Sequence, residues 1–131
     1  MIPALIIGRK GSTGFPNKNI TNFVGRPLMT YPILAAQNSS LIDEIYISTD
    51  STEIKNIAMN HGLKNIERPK ELATNEALAE DAFAHGYREI KRQSNQEIEF
   101  IVLLFCNGAC ITPGIIDKGI EFLRKDKEKE F

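Results

Sequence analysis

Pro3-Ala4-Leu5-Ile6-Ile7-Gly8-Arg9-Lys10-Gly11-Ser12-Thr13-Gly14-Phe15-Pro16-Asn17-Lys18-Asn19 is the stretch on which the reading of this chain turns. Its apolar start at residues 3–7 is short and nearly continuous, the pattern of a strand buried on both faces of a parallel sheet. The chain then enters a loop with glycines at 8, 11 and 14 and cations at 9, 10 and 18. Glycine permits tight or left-handed backbone and lets main-chain N–H groups point at a ligand, while Arg9, Lys10 and Lys18 gather positive charge. That combination suits a triphosphate. The spacing is neither G-x-x-x-x-G-K-[S/T] nor G-x-G-x-x-G. A surface loop with incidental basic residues is the plainer alternative, and the position at the carboxyl end of the first core strand favours phosphate binding over it.

Working outward, residues 100–105 (FIVLLF) form a second apolar run, residues 44–48 (EIYIS) a third strand and residues 64–67 a short fourth. Helices fill the gaps. Residues 28–38 carry Leu28, Tyr31, Leu34 and Ala35 at helical spacing, with Pro32 near the first turn, where proline is tolerated. Residues 51–60 follow Asp50 as the expected N-cap, with Glu53 completing a capping-box-like pattern and Gly62 closing the helix. Residues 77–93 place Leu78, Ala82, Phe83, Tyr87 and Ile90 on one side. The last helix starts at Thr112-Pro113, a cap followed by proline at the first helical position, and is expected to turn Ile116, Ile120 and Leu123 inward. Strands alternating with helices imply βαβ units and a three-layer α/β fold with a parallel sheet, in which ligands bind beyond the carboxyl ends of the strands.

The chain has 131 residues, 42% hydrophobic and 25% charged, which predicts one globular domain over residues 1–131 with a core that needs no staple. Sixteen basic against seventeen acidic residues, spread along the sequence, give a net charge of -1 and argue against nucleic-acid binding. Cys106 and Cys110 are too few for a disulfide framework, lack zinc spacing and read as small buried apolar residues, so a reducing, cytoplasmic setting is expected. The apolar N-terminus is too short and lacks the basic leader of a signal peptide, and no stretch is long enough to span a membrane. His61 reads as a helix-end residue and His85 as part of the helix at 77–93, with no serine or cysteine beside either to suggest a triad. The charged run from Arg124 to Phe131 is either a solvated helix end or the point where a longer chain has been cut.

The loop after the first strand resembles the signature of acylneuraminate (CMP-sialic acid type) cytidylyltransferases, R-G-G-S-K-G-x-P-x-K-N, in keeping Arg9, Gly11, Ser12, Gly14, Pro16, Lys18 and Asn19. Lys10 stands where that family usually has glycine and Thr13 where it usually has a lysine. The resemblance continues through Gly25-Arg26-Pro27-Leu28, like G-K-P-L at the start of the first long helix, and through Ser48-Thr49-Asp50. Arg68 to Ala77 resembles R-P-x-x-L-A-x-D-x-A, with Asn75 for the aspartate and Ala79 where a serine commonly helps hold the base. In place of L-Q-P-T-S-P-L-R the chain has residues 104–111, with Asn107 at the position of a polar sugar or ribose contact.

The resemblance implies a nucleotide-diphospho-sugar-transferase-like (Rossmann-like), mostly parallel sheet and transfer of CMP from CTP to a nine-carbon 2-keto sugar acid of sialic, legionaminic or pseudaminic type. The sugar's anomeric hydroxyl attacks the α-phosphorus and pyrophosphate leaves. Arg9 and Lys18 are the implied catalytic cations, with Mg²⁺ as cofactor. Lys10, Gly11, Ser12, Asn19, Arg68, Ala77 and Asn107 are the implied substrate contacts. Arg68 is expected to donate to the O2 and N3 acceptors of cytosine, the alternative being a surface ion pair with Glu67 or Glu71. The family's metal-binding aspartates and its dimer-forming segment have no counterpart within these residues, so no metal ligand is expected within this chain; a homodimer, or self-association through the apolar surface left exposed where the further segment packs, is. A truncated or degenerate nucleotide-binding module without catalysis is the alternative reading.

Overall fold

The computed structural model describes residues 1–8, 20–69, 79–108 and 111–129. In chain order the elements are β1 (Pro3–Gly8), the short strands β2 (Asn22–Phe23) and β3 (Arg26–Pro27), α1 (Thr30–Gln37), β4 (Glu44–Thr49), α2 (Thr52–Asn60), β5 (Lys64–Glu67), α3 (Ala79–Ser94), β6 (Val102–Phe105) and α4 (Pro113–Lys129). The main sheet runs β5-β4-β1-β6 with every neighbouring pair parallel.

The apolar run of β1 is buried on both sides because the sheet is covered on both sides. Successive strand residues point to opposite faces. Ala4 and Ile6 join one core with Ile33 of α1, Ile54 and Ala58 of α2, and Ile116 and Ile120 of α4. Leu5 and Ile7 join the other with Tyr46, Ile66 and, from α3, Ala82 and Ile90. Helix α3 comes close to β1 because residue 86 is glycine. A Cβ there would lie 2.3 Å from Leu5 Cδ2.

The expected parallel three-layer arrangement is therefore present, and several local expectations need correction. The N-cap of α2 is Ser51 rather than Asp50. Ser51 sits in extended backbone and its hydroxyl accepts from the amide of Ile54 at 3.2 Å, which places Ile54 and Ala58 toward the core. Ser51→Ala is expected to cost about 1 kcal/mol, read from the midpoint of urea unfolding.

Residues 25–28 do not open a helix. They belong to a two-stranded hairpin, β2–β3, turned by Val24 and Gly25 with φ of 49° and 88°, the positive pair that two-residue hairpin loops require. Helix α4 starts as expected, with Thr112 Oγ1 accepting from Ile115 N at 3.2 Å. It buries Ile116 and Ile120 but leaves Leu123 48% exposed, contrary to expectation, and Tyr87 of α3 is likewise 38% exposed. The charged run that follows continues α4 to Lys129. Arg124 in it forks onto Glu99, Nε to Oε1 and Nη2 to Oε2, both at 2.9 Å. Among the described residues no helix is long and apolar enough to cross a membrane.

Candidate functional site

Counting only the main-sheet strands in chain order, their spatial order is third, second, first, fourth, so the winding reverses between β1 and β6. At such a reversal the connections leave the carboxyl ends in opposite directions and open a crevice. The residues that reach this edge are Gly8 at the end of β1, Ser48 to Ser51 at the end of β4, Arg68 after β5, and Cys106 and Asn107 after β6.

Gly8 and Cys106 form the closed floor of the reversal. The amide of Cys106 donates to the carbonyl of Ile7 at 2.9 Å, carrying the parallel ladder to its last rung. A Cβ on Gly8 would lie 2.4 Å from Cys106 Sγ and 3.1 Å from Cys106 Cβ, so the two strand ends touch only because residue 8 has no side chain. Cys106 is buried as expected, and burial pushes its thiol up to about 12. It is neutral near pH 7 and is not a nucleophile there. Cys110 lies outside the described residues.

Arg68 lies across the ends of β4 and β5. Its Nη2 donates to the carbonyl of Ser48 at 2.8 Å and its Nε to Ser48 Oγ at 3.3 Å. Ser48 is wholly buried. Burial lowers the pKa of Arg68, and the carboxylate of Asp50 acts in the opposite direction. An arginine stays protonated throughout the neutral range, so this part of the sheet edge keeps a fixed positive charge. The alternative of an ion pair with Glu67 is not seen. Glu67 instead accepts from Lys55 Nζ at 3.3 Å and from Asn65 Nδ2 at 2.9 Å. Glu71 lies outside the described residues.

Asn107 is exposed on the turn after β6, closed by Gly108 N to Phe105 O at 3.0 Å, so it stands at the rim of the same edge. Arg68 and Asn107 thus both lie at the carboxyl edge of the sheet, Arg68 beyond β5 and Asn107 beyond β6. The other expected contacts, Arg9, Lys10, Gly11, Ser12, Lys18, Asn19 and Ala77, lie outside the described residues. What is described of their setting is Gly8, at which β1 ends between β4 and β6. His61 is the C-cap of α2, as expected, and His85 lies in α3 with its Nδ1 buried and without a hydrogen-bond partner.

Sequence reading missed Ser48 as the anchor of Arg68 and Cys106 as the neighbour of Gly8. Both depend on strand register, which brings Ser48 opposite Ile66 and Ile7 opposite Phe105. Among the described residues no three His, Cys, Asp or Glu side chains converge to hold a metal ion.

Residues 3–131 match the family model described as "Cytidylyltransferase". The pseudaminic acid cytidylyltransferase of Campylobacter jejuni is 32% identical over 126 residues, covering 95% of this chain and 54% of that protein. N-acylneuraminate cytidylyltransferase A of Danio rerio is 32% identical over 124 residues, covering 95% of this chain and 28% of that protein. Among solved structures, CMP:2-keto-3-deoxy-manno-octonic acid synthetase complexed with CTP superposes with a TM-score of 0.76 at 18% identity, over 96% of this chain and 48% of that one. The fold is therefore that of the nucleotide-diphospho-sugar transferases, as expected. The chain spans about half the length, or less, of these relatives.

Proposed function

Because the chain belongs to the cytidylyltransferase family, we propose that it binds CTP in the crevice at the β1–β6 reversal and takes part in transferring CMP to a nine-carbon 2-keto sugar acid of sialic, legionaminic or pseudaminic type. The observation that carries this reading is the guanidinium of Arg68, fixed at the carboxyl edge of the sheet by two hydrogen bonds to Ser48, in the segment that resembles the family's cytosine-contacting stretch.

The roles follow from chemistry and place. Arg68 donates to acceptors on the cytosine ring. Lys10, Gly11, Ser12 and Asn19, in the segment that follows Gly8 in sequence, hold the triphosphate. Arg9 and Lys18 neutralise charge that builds on the α-phosphate and departing pyrophosphate as the anomeric oxygen bonds to phosphorus and the bridging P–O bond breaks. Ala77, in the stretch that resembles the cytosine-contacting one, is assigned a substrate contact. Asn107 at the rim meets the ribose or the acceptor sugar. Mg²⁺ would supply further charge neutralisation on the phosphates, but the described residues gather no ligand set for it. The work assigned to them is binding and positioning. The reading extends to a cytoplasmic setting and to a homodimer.

Calorimetric titration with CTP and with UTP, both in Mg²⁺, tests it. Selective binding of CTP is the expected result. Equal affinity for the two nucleotides, or none for either, overturns it. Selective binding without turnover on any of the three sugar classes would assign a nucleotide-binding module instead.

A further inference from the structure

We infer that Ser48 is a positioning residue for nucleotide recognition, setting the plane in which Arg68 meets the base; this rests on Arg68 being the base contact proposed above. A free arginine has three χ angles between Cβ and Nε and loses substantial rotamer freedom on ordering. Here the cost is met before any ligand arrives. The carbonyl of Ser48 takes Nη2 and its hydroxyl takes Nε, so one whole edge of the guanidinium is occupied by a single residue of the neighbouring strand. The opposite edge, Nη1 and the second N–H of Nη2, is what remains for a ligand.

Parallel register makes this possible. Ser48 pairs with Ile66, two residues before Arg68, so the side chains of Ser48, Ile66 and Arg68 share the face that also carries Tyr46. Ser48 is 0% exposed in a face otherwise lined by Tyr46, Ile66, Leu5 and Ile7. A hydroxyl is costly there unless it is hydrogen-bonded, and the guanidinium is a partner it has. The carbonyl contact comes from the backbone and survives any substitution at 48, whereas the hydroxyl contact does not. Ser48→Ala therefore removes one of the two hydrogen bonds and lets the guanidinium swing about the other.

Four measurements decide the matter. In nucleotide-free protein, the Nε–H resonance of Arg68 is expected to be slowly exchanging and to be lost or fast in Ser48→Ala. An unchanged resonance overturns the proposal whatever Arg68 does to nucleotides. In titrations, Ser48→Ala is expected to weaken CTP binding about 5- to 10-fold, the scale of one ordinary hydrogen bond, and to compress the preference for CTP over UTP. In an Arg68→Ala background the same substitution is expected to change CTP affinity less than about 2-fold. Equal effects in the two backgrounds mean that Ser48 acts by packing alone. Ser48→Cys, near in size but a poor acceptor, is expected to behave like Ser48→Ala, and recovery of CTP affinity in it also overturns the proposal. If Arg68→Ala itself leaves CTP affinity unchanged, the base-contact reading fails, while the Nε–H signal still reports whether Ser48 holds the guanidinium.

Discussion

Arg68→Ala is expected to weaken CTP binding by about 10- to 100-fold and to bring the affinities for CTP and UTP close together. The magnitude is that of removing hydrogen bonds from a charged donor, about 1.5–3 kcal/mol, at roughly 1.4 kcal/mol per tenfold. The loss of discrimination follows from the rings. Cytosine presents an acceptor at N3, whereas uracil presents an N–H there, and a guanidinium already held on one edge cannot rotate to suit both. Arg68→Lys is expected to recover little, because an ammonium cannot bridge the carbonyl and hydroxyl of Ser48 and still offer a flat pair of donors. The effect is expected to be nearly constant between pH 6 and about 9, since an arginine does not titrate there. Calorimetry on the three proteins with both nucleotides checks it. Wild-type discrimination in Arg68→Ala would reduce Arg68 to a brace between β4 and β5.

Gly8→Ala is expected to destabilise the fold by about 1–3 kcal/mol through overpacking. The new Cβ would meet Cys106 Sγ at 2.4 Å and Cys106 Cβ at 3.1 Å, with Ile54 Cδ1 at 3.4 Å behind them. Cys106 is only 1% exposed, so its thiol has no open space to rotate into. Cys106→Ala removes the sulfur and leaves only the 3.1 Å approach, so the double variant Gly8→Ala/Cys106→Ala is expected to be more stable than Gly8→Ala alone. The cycle, measured by thermal unfolding, isolates this contact from the lost conformational freedom of glycine. Additive effects would mean that the strand ends separate easily and that residue 8 is free to vary.

How much of this could be read from the chain depended on whether a residue's role is local. The run at 3–7 announced itself because a strand covered on both faces must be apolar on both, and Ile6 and Leu5 indeed enter opposite cores, whereas the equally apolar run at 100–105, expected to be buried in the same way, forms an outer strand of the described sheet and leaves Leu103 43% and Phe105 49% exposed. The start of α4 was equally legible, since Thr112 and Pro113 act within one turn. The start of α2 was ambiguous by one residue, because Asp50 and Ser51 are both good caps and only the packing of Ile54 against the sheet selects the second. The hairpin at 22–27 was hidden by Val24, a β-branched residue in a backbone region it seldom occupies. Leu123 fits the helical period, yet no described side chain from Glu121 to Asp126 is buried, because only the earlier turns of α4 lie against the core. At the site, Arg68 was legible as a cation in a recognisable segment. Its partner was not, since nothing in the sequence near Ser48 points twenty residues ahead.

The central position of β1 has a consequence for how the molecule comes into being. Its two neighbours in the sheet begin at Glu44 and Val102, and the N-terminal amine itself donates to the carbonyl of Glu97. The β1 segment thus waits, apolar and half paired, until Val102 and the residues after it have been made. Contacts this distant along the chain close slowly, because loop entropy is lost before pairing compensates for it. During that interval the segment from Ile2 to Ile7 is an uncharged apolar strand with one open edge, the kind of surface that joins other copies of itself. Yield of native protein is thereby expected to depend on synthesis rate and temperature more steeply than final stability does.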